Sequence, residues 1–170
     1  MYFFSAFSVG KWTQETCSSM LKLLSTRLEA PDLCNRFEMY TDGNDDYIYM
    51  LPLHFDRKLI DYGQLVKIKE HGKLVRKEKR VIYGNPNLEE IEITDVDNSN
   101  GILKERLGRL VRKTKCFSKN KMKLCDAIQL FQFYWNFINN FQQQGSPAML
   151  EGIEDQLWSW HEFLHFNYAV

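Results

Sequence analysis

An α/β domain carrying a basic β-hairpin and C-terminal helices is the fold this chain predicts, on three observations. Short aromatic and β-branched stretches end at turn residues: Tyr2 to Val9 before Gly10, and Phe37 to Thr41 before Asp42-Gly43-Asn44. Two more such stretches, Val66 to Lys69 and Leu74 to Tyr83, flank His71-Gly72 and read as a hairpin studded with Lys and Arg. Elsewhere apolar residues recur at helical spacing. A chain of 170 residues can bury one sizeable core and leaves little for a second full domain.

Each element has a local reason. Tyr2 to Val9 reads as a strand. Thr13 then caps a helix opened by Gln14-Glu15-Thr16, in which Met20, Leu21, Leu24 and Leu28 repeat until Pro31 stops it. Phe37 to Thr41 is a buried strand that delivers Asp42 at its carboxyl end, and Asp45 to His54 is expected to be helical, broken near Pro52. Asn85-Pro86-Asn87 ends the hairpin. A helix is expected from about Val96 to Lys115, and another from Met122 to about Phe141. In the second, Leu124, Ile128, Phe131, Trp135 and Ile138 form an apolar stripe read as core. Gln142 to Gly145 is a loop, and Ser146-Pro147 starts a last, Trp-rich helical segment.

The 22 basic and 22 acidic residues cancel, so total charge advertises no partner. The distribution does: Lys67 to Arg80 and Lys104 to Lys123 are basic, while Asp42 to Asp61 and Glu89 to Asp97 are acidic. A locally basic face can bind phosphate in a neutral chain, with solvated charged faces as the alternative reading. Cys17, Cys34, Cys116 and Cys125 are too widely spaced for a zinc ribbon and fit free thiols in a reducing cytoplasm. The apolar opening lacks a basic lead and a small-residue cleavage site, so no leader peptide is expected, and no run approaches a membrane span of roughly 20 residues.

Thr94 to Lys119 carries the most chemistry. Asp95 and Asp97 sit at a helix head, and Arg106, Arg109, Arg112 and Lys113 follow at helical spacing as a basic ridge, with Lys115 and Lys119 beyond it. Carboxylates beside cations suit a protein that holds a metal ion and a polyanion together. Asp42 is the second candidate carboxylate, since ligands gather at the carboxyl ends of α/β strands. Asp42 and Asp97, from distant segments, could share Mg²⁺, which polarises a phosphodiester and activates water. An ordinary Asp-Gly turn and a dipole-favoured helix start are the plain alternatives. His161-Glu162-Phe163-Leu164-His165 has the spacing of a zinc-binding H-E-x-x-H helix, but no third ligand follows it, and chance in an aromatic helix is the better account.

These residues resemble the DDE transposases of bacterial and archaeal insertion sequences over nearly the whole chain. Phe7 to Glu15 is similar to the family's strand entering its first helix, and Tyr40-Thr41-Asp42-Gly43-Asn44 to the segment bearing its second catalytic aspartate. Thr94 to Asn98, followed by Arg109 to Lys119, is similar to the third-carboxylate helix and the block after it; Pro147 to Met149, Gly152-Ile153, Asp155 and Trp158 to Trp160 match the tail. The resemblance implies an incomplete, N-terminally truncated ribonuclease-H-like fold, with residues 1–141 a partial transposase core and 142–170 a helical tail. It implies catalytic and metal-binding roles for Asp42 and Asp97 and DNA contacts from Arg106, Arg109, Arg112, Lys113, Lys115 and Lys119. In the intact family three carboxylates hold Mg²⁺, or Mn²⁺ in its place, to hydrolyse a phosphodiester at a transposon end and transfer the strand to target DNA. The implied partners are DNA, further copies of this chain or a full-length transposase, with no membrane and a cytoplasmic location.

Two departures set an expectation about activity. The family has Glu where this chain has Asp97, and no strand bearing the first aspartate precedes Tyr2. Mg²⁺ requires ligand oxygens at about 2.0–2.1 Å, and a ligand displaced by about 1 Å can lower a rate on the order of 100-fold. The chain alone is therefore expected to be inactive. The alternative is a non-catalytic remnant that binds DNA or joins a transposase assembly.

Overall fold

A computed structural model describes residues 3–92, 94–111 and 114–166, the side chains of Asp95 and Val96 excepted. It is a mixed α/β chain with a small three-stranded sheet and several helices. Its contacts divide it into two compact units, Ser5–Asn98 and Met1–Phe4 with Ser99–Val170.

The first unit opens with α1 (Gln14–Arg27), capped by Thr13, whose hydroxyl accepts from the Thr16 N–H. Its sheet comprises β1 (Phe37–Asp42), β2 (Ile60–Glu70) and β3 (Lys73–Tyr83) in the order β1-β2-β3. β1 and β2 are parallel, from Phe37 opposite Ile60 to Asp42 opposite Leu65; β2 and β3 are antiparallel. Parallel neighbours need a crossover, supplied here by α2 (Asp46–Met50) and two 3₁₀ turns, Leu51–Leu53 and Arg57–Leu59. Leu21, Leu51, Phe55, Ile60 and Tyr62 form the core on one side of the sheet, with Phe37 stacked on Phe55 at 4.6 Å. Tyr40, Leu65 and Ile91 pack on the other. A Cβ on Gly63 would fall 2.5 Å from Ile91 Cδ1, so Ile91 would have to shift.

An ion pair fastens the start of the sheet. Arg36 donates from Nε to Asp61 Oδ2 at 2.6 Å and from Nη2 to Asp61 Oδ1 at 2.9 Å, and the Asn85 N–H adds a bond of 2.6 Å to Oδ1. The Arg36 hydrogen bond, with help from Asn85, holds the Asp61 carboxyl below its usual range. A carboxylate depressed in the folded state stabilises above its unfolded pKa, and that contribution disappears as pH falls through the folded value. We expect the urea midpoints of wild type and Asp61→Asn to differ by a constant amount at neutral pH and to converge only below about pH 4. A gap already closing at pH 6 would contradict this.

The segment 3–9, expected as a strand, forms none. Its hydrogen bonds go to side chains instead. The Phe4 N–H donates to Asn136 Oδ1 at 2.9 Å, and the Phe4 carbonyl accepts from Asn136 Nδ2 at 2.8 Å and from Gln132 Nε2. Phe4 packs edge-on against Phe131 and Trp135. Of the aromatic residues that suggested a strand, Phe3 and Phe4 pack instead against aromatic rings of the second unit.

In that unit α4 (Lys121–Phe133) runs into a π-helical turn, Tyr134–Ile138, and short helices α5 (Pro147–Leu150) and α6 (Trp160–His165) follow. Phe133 contacts Phe137, Trp158 and Phe163. The helix expected from Val96 to Lys115 is shorter: α3 spans Thr94–Arg106, and a 3₁₀ turn, Gly108–Leu110, follows Leu107. The backbone leaves helical geometry at Leu107 (φ −112°, ψ 86°), and Cys116 packs 3.5 Å from where a Gly108 Cβ would lie. Among the described residues no helix is long and apolar enough to cross a membrane.

Candidate nucleic-acid interface and carboxylate edge

Asp42 ends β1 on an exposed turn, its Oδ1 accepting from the Asn44 N–H at 3.3 Å. A buried relay holds the backbone beneath it. Gln64 Nε2 donates to the Asn44 carbonyl at 3.1 Å and to the Tyr62 hydroxyl at 2.8 Å. Thr41 Oγ1 lies 2.7 Å from that hydroxyl and donates to the Asp42 carbonyl at 2.9 Å, so the Tyr62 O–H points at Thr41. Burial pushes the Tyr62 phenol up to about 12, which keeps it a donor at any ordinary pH.

Asp97 lies on α3, where its Oδ2 accepts from Lys67 Nζ at 2.8 Å. Lys67 stands two residues beyond Leu65, the parallel partner of Asp42. Strand alternation puts Asp42, Leu65 and Lys67 on one sheet face. Asp42 thus stands at the carboxyl end of β1, and Asp97 reaches the sheet through Lys67, two residues further along β2. An ammonium already occupies one oxygen of Asp97, and among the described residues no group of three His, Cys, Asp or Glu side chains is placed to hold a metal. Lys67 was not a sequence candidate. Nothing local announces a partner 30 positions away.

The basic residues of the second unit assemble differently from the expected ridge. Arg106 ends α3, Arg109 sits in the 3₁₀ turn, and Arg112 and Lys113 lie outside the described residues. Arg106 and Arg109 thus lie on different elements. Instead the Ser118 N–H donates to the Arg109 carbonyl at 3.1 Å, so 108–110 and 116–118 run side by side. Together with the head of α4 they enclose an open cleft of about 580 Å³ lined by Arg109, Lys115, Lys119 and Lys123. Asn120 caps α4, its Oδ1 accepting from the Lys123 N–H at 3.2 Å. Four cations and the positive end of a 13-residue helix converge on one concavity with no carboxylate in its lining. Phosphate is the group such a cleft suits. An apolar cleft sharing Arg109 and Lys123 adjoins it and includes Tyr134 and Trp160, whose rings stack 3° from parallel. Lys123 was also missed as a site residue, although its place one turn into a capped helix marks it.

The H-E-x-x-H motif has other employment. Glu162 Oε2 accepts from the Ser159 N–H and Oγ, both at 2.7 Å, in a capping box that holds its carboxyl below the usual range. His165 Nδ1 lies 2.8 Å from the His161 carbonyl. Glu162 is engaged in the cap of α6, and the His161 and His165 rings stack with centroids 4.1 Å apart. All four thiols are free. No family model, no curated protein and no solved structure matches this chain.

Proposed function

We propose that this chain is a transposase-derived DNA-binding protein that holds backbone phosphates without cutting them. The basic cleft at the head of α4 carries the reading: Arg109, Lys115, Lys119 and Lys123 present cations to one concave surface. Such contacts bind any sequence, because phosphate carries no sequence information. The resemblance to DDE transposases supports DNA as the polyanion and a ribonuclease-H-like ancestry. It assigns Asp42 and Asp97 to two carboxylate positions of a core whose complete form performs Mg²⁺-dependent strand cleavage and transfer. The Lys67–Asp97 ion pair, and Asp97 where the family has Glu, favour the binding reading over catalysis by this chain.

Fluorescence anisotropy with a labelled duplex tests binding. Affinity should fall steeply with salt and stay unchanged on swapping Mg²⁺ for EDTA at matched ionic strength. A nicking assay with Mg²⁺ or Mn²⁺ should show no cleavage. Cleavage lost in Asp42→Asn would overturn the non-catalytic half of the proposal, and salt-independent or absent DNA binding would overturn the other half.

A further inference from the structure

Beyond Leu65, β2 loses its β1 neighbour, because β1 ends at Asp42. From Val66 onward, β2 and β3 continue alone as a two-stranded ribbon turning at His71 and Gly72, both in the left-handed region. Five residues of β2 project in this way, about 17 Å of strand. Residues 66–79 carry six basic side chains (Lys67, Lys69, Lys73, Arg76, Lys77 and Lys79) against two acidic ones, Glu70 and Glu78.

The arrangement of those charges is more telling than their number. Lys67 stands directly opposite Lys77, and Lys79 opposite Leu65 on the same face. Like charges placed directly across a ladder destabilise it. A ribbon that keeps them needs a counter-charge. Asp97 supplies one to Lys67, and Lys79 donates to the Leu88 and Glu89 carbonyls. Lys69, Lys73 and Lys77 are exposed, and among the described residues none of the three forms an ion pair. Lysines also guard exposed strand edges against pairing with other chains. That role accounts for lysines on exposed edges, whereas this ribbon carries a surplus of four positive charges over residues 66–79.

We infer that the projecting β2–β3 ribbon is a second DNA contact, an arm that lies in the major groove of a duplex with Lys69, Lys73 and Lys77 on the flanking phosphates. The major groove, about 12 Å wide, admits a two-stranded ribbon whose strands lie about 4.8 Å apart. The inference rests on the DNA-binding reading above but on different residues, in the other compact unit.

The test compares wild type, Lys69→Ala/Lys73→Ala/Lys77→Ala and Arg109→Ala/Lys119→Ala on one labelled duplex across a salt series. Three lost phosphate contacts should lower the slope of log affinity against log salt by about three and weaken binding at least tenfold at low salt. The corresponding triple Lys→Arg chain should bind like wild type, which separates charge loss from misfolding. Wild type, and not the triple Ala chain, should protect guanine N7 in the major groove from dimethyl sulfate. Wild-type affinity and slope in the triple Ala chain would overturn the arm while leaving the cleft reading intact. Competition by polyglutamate as effective as by duplex DNA would also overturn it, pointing to an acidic protein surface. Absence of duplex binding by wild type would remove both readings.

Discussion

Gly84→Ala should be the most destabilising single methyl addition in the first unit. Gly84 follows β3 with φ +63°, a conformation that costs an L-residue about 1–3 kcal/mol by itself. A Cβ there would also fall inside van der Waals distance of Asp61 Oδ1, the Ile60 carbonyl and Arg36 Nη2. Neither Asp61 nor the carbonyl can retreat cheaply, since both accept from Arg36 and Asp61 also accepts from the Asn85 N–H. Backbone strain and a disturbed charged network together should cost about 3 kcal/mol or more, a fall in Tm of roughly 6–12 °C. Gly72→Ala is the internal control. Its φ is +79°, but nothing lies within 4 Å of the added methyl at the hairpin tip. Thermal melts of the two variants should therefore differ by several degrees. Equal melting temperatures would show that the Asp61 network contributes nothing beyond the turn.

What could be read from the chain follows the range of the interaction that decides each element. Thr13 capping α1, Asp42 ending β1 and His71-Gly72 turning the hairpin are decided within a few residues, and all three stand where the sequence puts them. Tyr2 to Val9 failed because its composition reports burial and not the kind of burial. The deciding groups, Gln132 and Asn136, are one helical turn apart and over 120 residues away. The helix carried through to Lys115 failed because α3 ends at Arg106 and Leu107 leaves helical geometry; Gly101, inside α3, shows that a glycine alone does not end this helix. The candidate site divides the same way. Its cations were legible as residues, but their meeting in a cleft depends on the 108–118 fold-back and on the Asn120 cap, which bring in Lys123. Asp97 was legible as a carboxylate, and its engagement by Lys67 was not.

Arg109→Glu combined with Lys119→Glu should abolish most DNA binding at moderate salt. The two side chains line the same cleft as Lys115 and Lys123, so reversing both replaces four converging cations by two of each sign. Neutralising two phosphate contacts would lower the salt slope by about two; reversal also adds like-charge repulsion against the backbone, so a loss of about 100-fold or more in affinity is expected near 100 mM salt. Both residues are exposed, and the hydrogen bond that folds 108–118 back uses the Arg109 carbonyl, which the substitution keeps. The circular dichroism spectrum and melting temperature should therefore stay close to wild type. A chain with the same two reversals placed at Lys22 and Lys58, exposed in the first unit, carries an identical net charge. If binding merely tracked total charge, the two chains would weaken equally. If the cleft is the phosphate site, only the Arg109/Lys119 pair removes it, because the field that matters to a phosphate is set within about 10 Å at 0.1 M salt.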